Sequence, residues 1–431
     1  MNIVFFSDTF LPQINGVVTH LIETGRQLKK MGHQVLFVVP KCPKGLSESP
    51  PEKGAPLAIR KNPHVPEGFR AKEIFFAPSL SINRLYPQYR MAIAYSYGLD
   101  KALSEFSPDI LHMHTPMSIG FGGIVVAKRF NKPLVGTYHT FAASEEMFKI
   151  IGIKKGQGTR LLKRLMWEYT NLFYNRCNAV IATTGEMATI LKRNGVNRSL
   201  IVIHEGIGLS DFKILTQEEK EKVKDSFGLS GKKVAVFTGR LSREKNLTLM
   251  INAFAQVATR LSEAHLLMIG DGPAREELMR RTQKLGISDR VTFTGFMERS
   301  DLIRSGILGS CNLFLSTSKF ETFGISALEA IASGLPVVMV ESQGVAELID
   351  GNGLISSDQE KDIAENVIKI LMNPEMEKRF GERSLVVRER YAIEKVTEEL
   401  VNFYEGTIRD YNKRPTRPRP SLSDLSKLLG L

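Results

Sequence analysis

Four charged residues give this sequence its most specific chemistry. In KFETFGISALEA, residues 319–330, Glu321 and Glu329 stand eight positions apart; in FTGRLSREKN, residues 237–246, Arg240 and Lys245 stand five apart. An ionised carboxylate only accepts hydrogen bonds, so a pair of them suits hydroxyl-bearing groups and repels anions. The start of a helix has the opposite preference, because its free N–H groups and partial positive charge favour an anion such as a diphosphate. Gly324, between the two glutamates, lets a ligand approach the backbone closely. Arg240 and Lys245 could offset the negative charge that grows on a departing diphosphate. Taken alone, the glutamate segment reads equally well as a solvated loop carboxylate and a buried helical one. The basic segment alone reads better as an ordinary surface loop.

Other candidates surround these four. Gly16 in QINGVV precedes a helix and offers N–H groups to a phosphate, and Gly270 with Gly272 in IGDGP permits a tight turn, a weak signal by itself. LHMHTP and TYHTF carry His112, His114 and His139. Three histidines could hold a metal, but no Asp, Glu or Cys ligand accompanies them, so no metal is expected. A hydrogen bond to a sugar hydroxyl or carbonyl fits a histidine here better, and His112 also reads as a satisfied core residue. There is no GxSxG elbow, no GxxxxGK[ST] loop and no GxGxxG after the first strand. These absences argue against a serine hydrolase, a P-loop NTPase and a simple dinucleotide dehydrogenase.

The elements that must position these residues alternate along the chain. NIVFFSD reads as a strand, GVVTHLIETGRQLKKMG as a helix closed by Gly32, and HQVLFVVP as the next strand, which together make a βαβ unit. Residues 41–73 hold six prolines and read as a long surface loop. Strands resume with PDILHMHTP, PLVGTYHT, AVIATT and SLIVIHEG. A second series, KKVAVFTGR, AHLLMIGDGP, RVTFTGF, LFLSTS and LPVVMV, begins near residue 232 after a polar, charged link. The pattern is two doubly wound α/β domains with a boundary near 207–215, and ligands of such domains sit at the carboxyl ends of the strands.

Composition bounds the partners. The 431 residues carry a net charge of +12, which points to an anionic partner: nucleic acid, an anionic membrane surface or a phosphorylated substrate. Cys42, Cys177 and Cys311 are far apart and indicate neither a disulfide framework nor a zinc ribbon, so a reducing, cytoplasmic setting is expected. MNIVFFSDTF reads as a first strand and not a signal peptide, and no apolar run is long enough to span a bilayer. With aromatics at 8% and no recognition motif, a non-enzymatic nucleic-acid binder is the poorer account of the charge.

In their order along about residues 1–405, the Gly16 loop, HMHTP, YHT, GRLSREKN, GDGP and ETFGISALEAIASGLPVV resemble the retaining glycosyltransferases of family 4. The last segment resembles the family's pair of glutamates with seven residues between them. The resemblance implies a GT-B fold of two Rossmann-like domains facing across a cleft. Residues 1–207 would form the acceptor-side domain, completed by a crossing helix near 391–410, residues 208–390 the nucleotide-sugar domain, and 411–431 a basic tail. It implies that Glu321 contacts the donor sugar, Glu329 holds the ribose, and Arg240 and Lys245 clamp the diphosphate. His139 resembles the family's histidine that reaches the sugar from the opposite domain. Gly16 would lie against the diphosphate, Gly270 would line the donor site, and Thr322, Phe323 and Gly324 would face sugar or phosphates. The implied reaction retains anomeric configuration, uses neither metal nor cofactor, and takes a nucleotide sugar as co-substrate, UDP-glucose by first choice, with GDP-mannose and UDP-galactose as alternatives. The chain departs from the family at Glu205 in IHEGIGLSDF, and its Glu347 segment lacks the usual paired glycines.

NGVVTH, HTPMSIGFGG and YHT resemble the branch that glycosylates diacylglycerol. Between Lys149 and Arg176 lie seven cations and one acid, Glu168, interleaved with Leu161, Leu162, Leu165, Met166, Trp167 and Phe173. Such a stretch reads as a helix lying on an anionic membrane surface from the cytoplasmic side. The tail, with four cations among prolines and then Leu422, Leu425, Leu428 and Leu429, reads as a second anchor. The alternatives at this point are a soluble sugar or phosphorylated acceptor, and mannosyl transfer to phosphatidylinositol.

Overall fold

The computed structural model describes residues 1–13, 15–41, 65–81, 90–93, 95–139, 157–319, 321, 323–342, 344 and 346–413. Within it the chain divides into two compact units. One draws on Met1–Thr140, Leu162–His204 and Val396–Leu431, the other on Phe141–Leu161 and Glu205–Lys395.

The first unit is built on a seven-stranded sheet. Its strands are β1 (Asn2–Phe6), β2 (Gln34–Pro40), β3 (Ile74–Ala77), β6 (Ile110–Met113), β7 (Leu134–Tyr138), β8 (Ala179–Ala182) and β9 (Ser199–Val202), in the order β3-β2-β1-β6-β7-β8-β9. Every pairing is parallel, from Ile3 opposite Val35 to Ala182 opposite Val202. The continuous apolar runs follow from burial on both faces. Helix α1 (Gly16–Lys30) shows how the layers join. Asn15 caps it by accepting from the Val18 N–H, and Val18, Leu21 and Leu28 face the sheet at helical spacing. The C-terminal helix Ile393–Asn412 contributes Val396, Leu400, Val401 and Tyr404 to the same core as Ile3, Phe5 and Val35.

Two features of this unit went unread in the sequence. β3 is an edge strand that follows the proline-rich stretch, and β4 (Ser79–Ser81) with β5 (Arg90–Ala92) forms a small antiparallel hairpin outside the sheet. Residues 42–64 of the expected loop lie outside the described residues.

The second unit carries six parallel strands: β10 (Lys233–Thr238), β11 (Ala264–Ile269), β12 (Val291–Gly295), β13 (Leu313–Ser316), β14 (Val337–Val340) and β15 (Gly353–Ser356). Their order, β12-β11-β10-β13-β14-β15, reverses direction between β10 and β13. The first sheet reverses between β1 and β6. At such a switch point the loops leave the sheet to opposite sides and open a crevice above the strand ends. Arg240 follows β10, Glu321 follows β13, and His114 follows β6, the strands that flank these switch points.

Candidate functional site

In the second unit the loop after β10 delivers the two basic residues. Arg240 is exposed just past the strand. Lys245 closes the 3-10 turn Arg243–Lys245, and Asn246 then takes a left-handed conformation with φ 52° before helix Leu247–Arg260 begins. The Thr317 hydroxyl, at the end of β13, donates to the carbonyls of Lys245 and Asn246 at 3.1 and 3.0 Å. That contact fixes the basic loop against the turn that carries Glu321. The side chains meet as well: Lys245 Nζ donates to Glu321 Oε1 at 2.6 Å.

The turn continues into helix Ile325–Ala332. Gly324 sits at its start with φ 95°, a conformation that favours glycine. Phe323 is buried, its ring against Tyr391 with centroids 5.5 Å apart, so its side chain is a core contact. Thr322 lies outside the described residues. One helical turn on, Glu329 is buried and accepts from Arg299 Nε at 2.6 Å. Sequence reasoning missed Arg299. Its signal was positional: it follows the carboxyl end of β12, as Arg240 and Glu321 follow β10 and β13.

Gly270 and Gly272 serve the same loop by another route. A Cβ on Gly270 would come within 2.0 Å of the Gly239 carbonyl, and one on Gly272 within 2.4 Å of the Leu241 carbonyl. Both glycines let the end of β11 press against the backbone on either side of Arg240. Gly270 thus has a structural task whatever it contacts in a ligand.

In the first unit the histidines gather at the ends of β6 and β7. His112 is a core residue: Nδ1 contacts the Tyr404 hydroxyl at 2.5 Å and Nε2 the Thr137 hydroxyl at 2.6 Å. The three histidines weighed from sequence do not group together as ligands. His20 of α1, not His112, joins His114 and His139, with ligand-capable nitrogens all within 4.8 Å of one another. His112 and His114, two residues apart, share one face, their ring centroids 3.9 Å apart; His112 lies within β6 and is taken up by Tyr404 and Thr137, whereas His114 lies just past the strand end, beside His139 and His20 of α1. Burial holds His112 and His114 well below the ordinary imidazole pKa and takes His139 to about 3. All three are neutral at physiological pH. Among the described residues this is the one His/Cys/Asp/Glu group with the geometry to hold a metal.

Gly16 opens α1, where Asn15 already occupies the Val18 N–H. Nearby is a second residue missed from sequence, Asp8, just beyond β1. It is buried and accepts from the Ser118 and Thr115 hydroxyls at 2.7 and 2.9 Å and from the Ile119 and Gly120 amides at 2.7 and 3.3 Å. Burial raises its pKa, against these hydrogen bonds. Its work is to tie β1 to the start of helix Ser118–Phe130.

The basic stretch forms helix Gln157–Tyr174, and part of its expected membrane face is corrected. Trp167 and Phe173 are buried, with Trp167 stacked on Tyr138 at 6.5 Å between centroids. Positions 167, 170, 173 and 174 fall on one helical face, and that face is the core side. Lys163, Arg164, Leu165, Tyr169 and Leu172 are exposed. Lys149, Lys154, Lys155 and the tail from Arg414 onward lie outside the described residues. No helix among the described residues is long and apolar enough to cross a membrane.

Known proteins give this geometry its context. Residues 14–211 match the family described as Glycosyltransferase Family 4, and residues 219–385 match Glycosyl transferases group 1. An alpha-monoglucosyldiacylglycerol synthase of Streptococcus pneumoniae is 30% identical over 345 residues, covering 78% of this chain and 70% of that protein. A protein of the same name from Acholeplasma laidlawii is 23% identical over 419 residues, covering 96% and 99%. The crystal structure of Anabaena HepE in complex with UDP and glucose superposes with a TM-score of 0.70 at 19% identity, over 94% of this chain and 99% of that one. With two Rossmann-like parallel sheets, matches to both families in sequence order and a relative at 30% identity, the chain belongs to the group 1/family 4 glycosyltransferases of GT-B fold.

Proposed function

We propose that this glycosyltransferase moves glucose from UDP-glucose to diacylglycerol at a membrane surface, with retention at the anomeric carbon. The observation that carries the donor half is the Lys245–Glu321 contact at 2.6 Å. It brings a cation suited to a diphosphate and a carboxylate suited to sugar hydroxyls to one point at a sheet's switch point. On donor binding, Lys245 and Arg240 take the diphosphate and Glu321 is released to a sugar hydroxyl. Glu329 accepts from the ribose, His139 meets the sugar, and Gly16, Gly270 and the backbone at 322–324 line the donor. The acceptor oxygen bonds to the anomeric carbon as the bond to the diphosphate oxygen breaks, on the same face. The acceptor's proton passes to that departing oxygen. The protein supplies position and fixed positive charge, with no metal ion or cofactor in the reaction.

The lipid half rests on the names of the two relatives and on surface chemistry. Arg164 lies toward the exposed side of its helix that carries Leu161, Leu165 and Leu172, and Lys163 is exposed one turn before Trp167. On the β4–β5 hairpin, Leu80 and Met91 pair across the strands on the outward face, 78% and 57% exposed, and Ile93 and Tyr97 follow them. Exposed apolar side chains and surface cations both suit an anionic bilayer interface. Peripheral association from the cytoplasmic side follows from this reading.

The test is UDP release from UDP-glucose on anionic vesicles with and without diacylglycerol. Release that depends on diacylglycerol supports both halves. Donor binding without that dependence moves the acceptor to a soluble sugar or phosphate. Failure to bind UDP-glucose, with GDP-mannose bound instead, overturns the donor assignment.

A further inference from the structure

Two loops leave the carboxyl ends of neighbouring parallel strands in the second unit. The turn that carries Glu321 and Phe323 follows β13, and the loop that carries Glu347 follows β14. Glu321 has a part in donor binding under the function proposed above; the Glu347 loop has none. Tyr391 touches both. Its ring packs edge-on against Phe323, with the planes at 71°, and its hydroxyl donates to the Glu347 carbonyl at 2.9 Å. Tyr391 is 2% exposed, and burial pushes its phenol up to about 12, so the hydroxyl stays a donor through the neutral range.

Tyr391 closes a short stretch, Arg388–Tyr391, that grips the same region at further points. Arg388 Nη1 donates to the Ala332 carbonyl at 2.7 Å, at the end of the helix that Gly324 begins. Arg390 pairs with Asp350, just past Leu348. Leu348 is buried, and its Cδ1 would lie 3.6 Å from a Cβ on Gly324. The helix that bears Glu329 is thus held at its start through Phe323 and at its end through Ala332. The stretch is itself fixed. The Tyr391 carbonyl accepts from the Ile207 amide at 2.8 Å, and the Ile393 amide donates to the Ile207 carbonyl at 2.9 Å, a parallel bridge between Ile207 and Ala392. Ile207 and Ala392 each stand close to a point where the chain passes between the units, after His204 and after Lys395.

We infer that Tyr391 is a positioning residue of this glycosyltransferase, which fixes the Glu321 turn against the Glu347 loop without touching the donor itself. The consequence for the donor rests on the proposed donor contacts of Glu321 and Glu329; the packing role does not. Without the hydroxyl, turn and loop sample other spacings. Apparent donor affinity then falls with the fraction of chains that keep the right one.

The test is Y391F, which removes the hydroxyl and keeps the ring. Amide hydrogen exchange of the full-length protein, read by mass spectrometry, should rise over helix Ile325–Ala332 and residues 346–350 and stay unchanged over β10 and β11. The KM for UDP-glucose should rise about fivefold, with kcat within about twofold of wild type. Y404F is the control. It removes a buried hydroxyl from the first unit, the one bonded to His112. It should lower the urea midpoint and leave both the exchange of helix Ile325–Ala332 and the donor KM as in wild type. A merely structural Tyr391 would behave as Tyr404 does. Unchanged exchange over the helix and residues 346–350 in Y391F overturns the inference, and so does an unchanged donor KM in a chain that binds UDP-glucose. If the wild type binds no UDP-glucose, the donor contacts fail instead, and exchange alone judges Tyr391.

Discussion

Lys245 reaches from the loop after β10 to Glu321 in the turn after β13, and each is the other's partner at 2.6 Å. The two side chains are 21% and 15% exposed, so the pair is neither free in solvent nor sealed in the core. A diphosphate can take the lysine from the glutamate only if the glutamate gains a hydroxyl in exchange. That exchange couples recognition of the phosphates to recognition of the sugar. K245A should lower transfer about 100-fold or more, because one fixed charge on the leaving group is lost. Vesicle binding should stay unchanged. Retained transfer, measured as UDP release, would refute the diphosphate assignment.

Arg299 and Glu329 form the more buried pair, at 2.6 Å with side chains 24% and 8% exposed. R299L removes the guanidinium from a buried carboxylate. It should cost roughly 1–3 kcal/mol in urea unfolding and raise the donor KM. R299L/E329Q should cost less stability than R299L alone, since the neutral amide no longer needs the cation. Equal costs for the two variants would show that the pair is unimportant to folding.

The glycines after β11 make a sharper structural claim. Gly270 has φ 141°, and an added Cβ would lie 2.0 Å from the Gly239 carbonyl. G270A should lose at least about 2 kcal/mol of stability and displace the loop that holds Arg240. Gly228, with φ 67° and nothing within 4 Å of its Cβ position, is the control. G228A should cost about 1 kcal/mol through backbone strain alone. Thermal unfolding of the two variants separates clash from strain.

Acid should weaken the first unit through its buried histidines. His139 has a folded pKa of about 3 against an ordinary 6.5, and His112 and His114 are held well below 6.5. Between those limits the unfolded chain binds protons that the folded chain does not, so stability falls as pH drops from about 6.5 toward 3. Each such histidine contributes on the order of 1 kcal/mol per pH unit across that window. Urea midpoints at pH 7.5 and 5.5 should show the loss, and H139Q should reduce its slope. A midpoint independent of pH would contradict the buried neutral cluster.

The exposed cations Lys163 and Arg164 of helix Gln157–Tyr174 give a prediction about lipid. K163S/R164S should weaken binding to anionic vesicles by about 1 kcal/mol per charge removed, roughly 30-fold in all, and leave binding to zwitterionic vesicles unaltered. Unchanged anionic binding would remove this helix from the membrane contact.

Much of this architecture is legible in sequence because parallel strands buried on both faces leave unbroken apolar runs. NIVFF, VLFVV and VAVF read as strands for that reason, and all three are strands. β3 and the β4–β5 hairpin were not legible. They are short, lie beside a proline-rich stretch, and owe their pairing to neighbours distant in the chain, Phe37 opposite Ile74 being one. Trp167 was misread because a basic helix with an aromatic looks the same whether the ring faces lipid or core; only packing against Tyr138 decides it.

By itself the sequence determined which residue types stand at the strand ends: Arg240 and Lys245 after one strand, Glu321 and Glu329 after another, His114 and His139 after two more. Local propensity places strand ends, and glycine and charge mark the turns that follow. Only the tertiary structure decided the partners. Lys245 with Glu321 and Arg299 with Glu329 are 76 and 30 positions apart, and His112 meets Tyr404 across 292. Spacing along a chain carries no information about such pairs, because they depend on which strands become neighbours in the sheet and how far each loop travels before it returns.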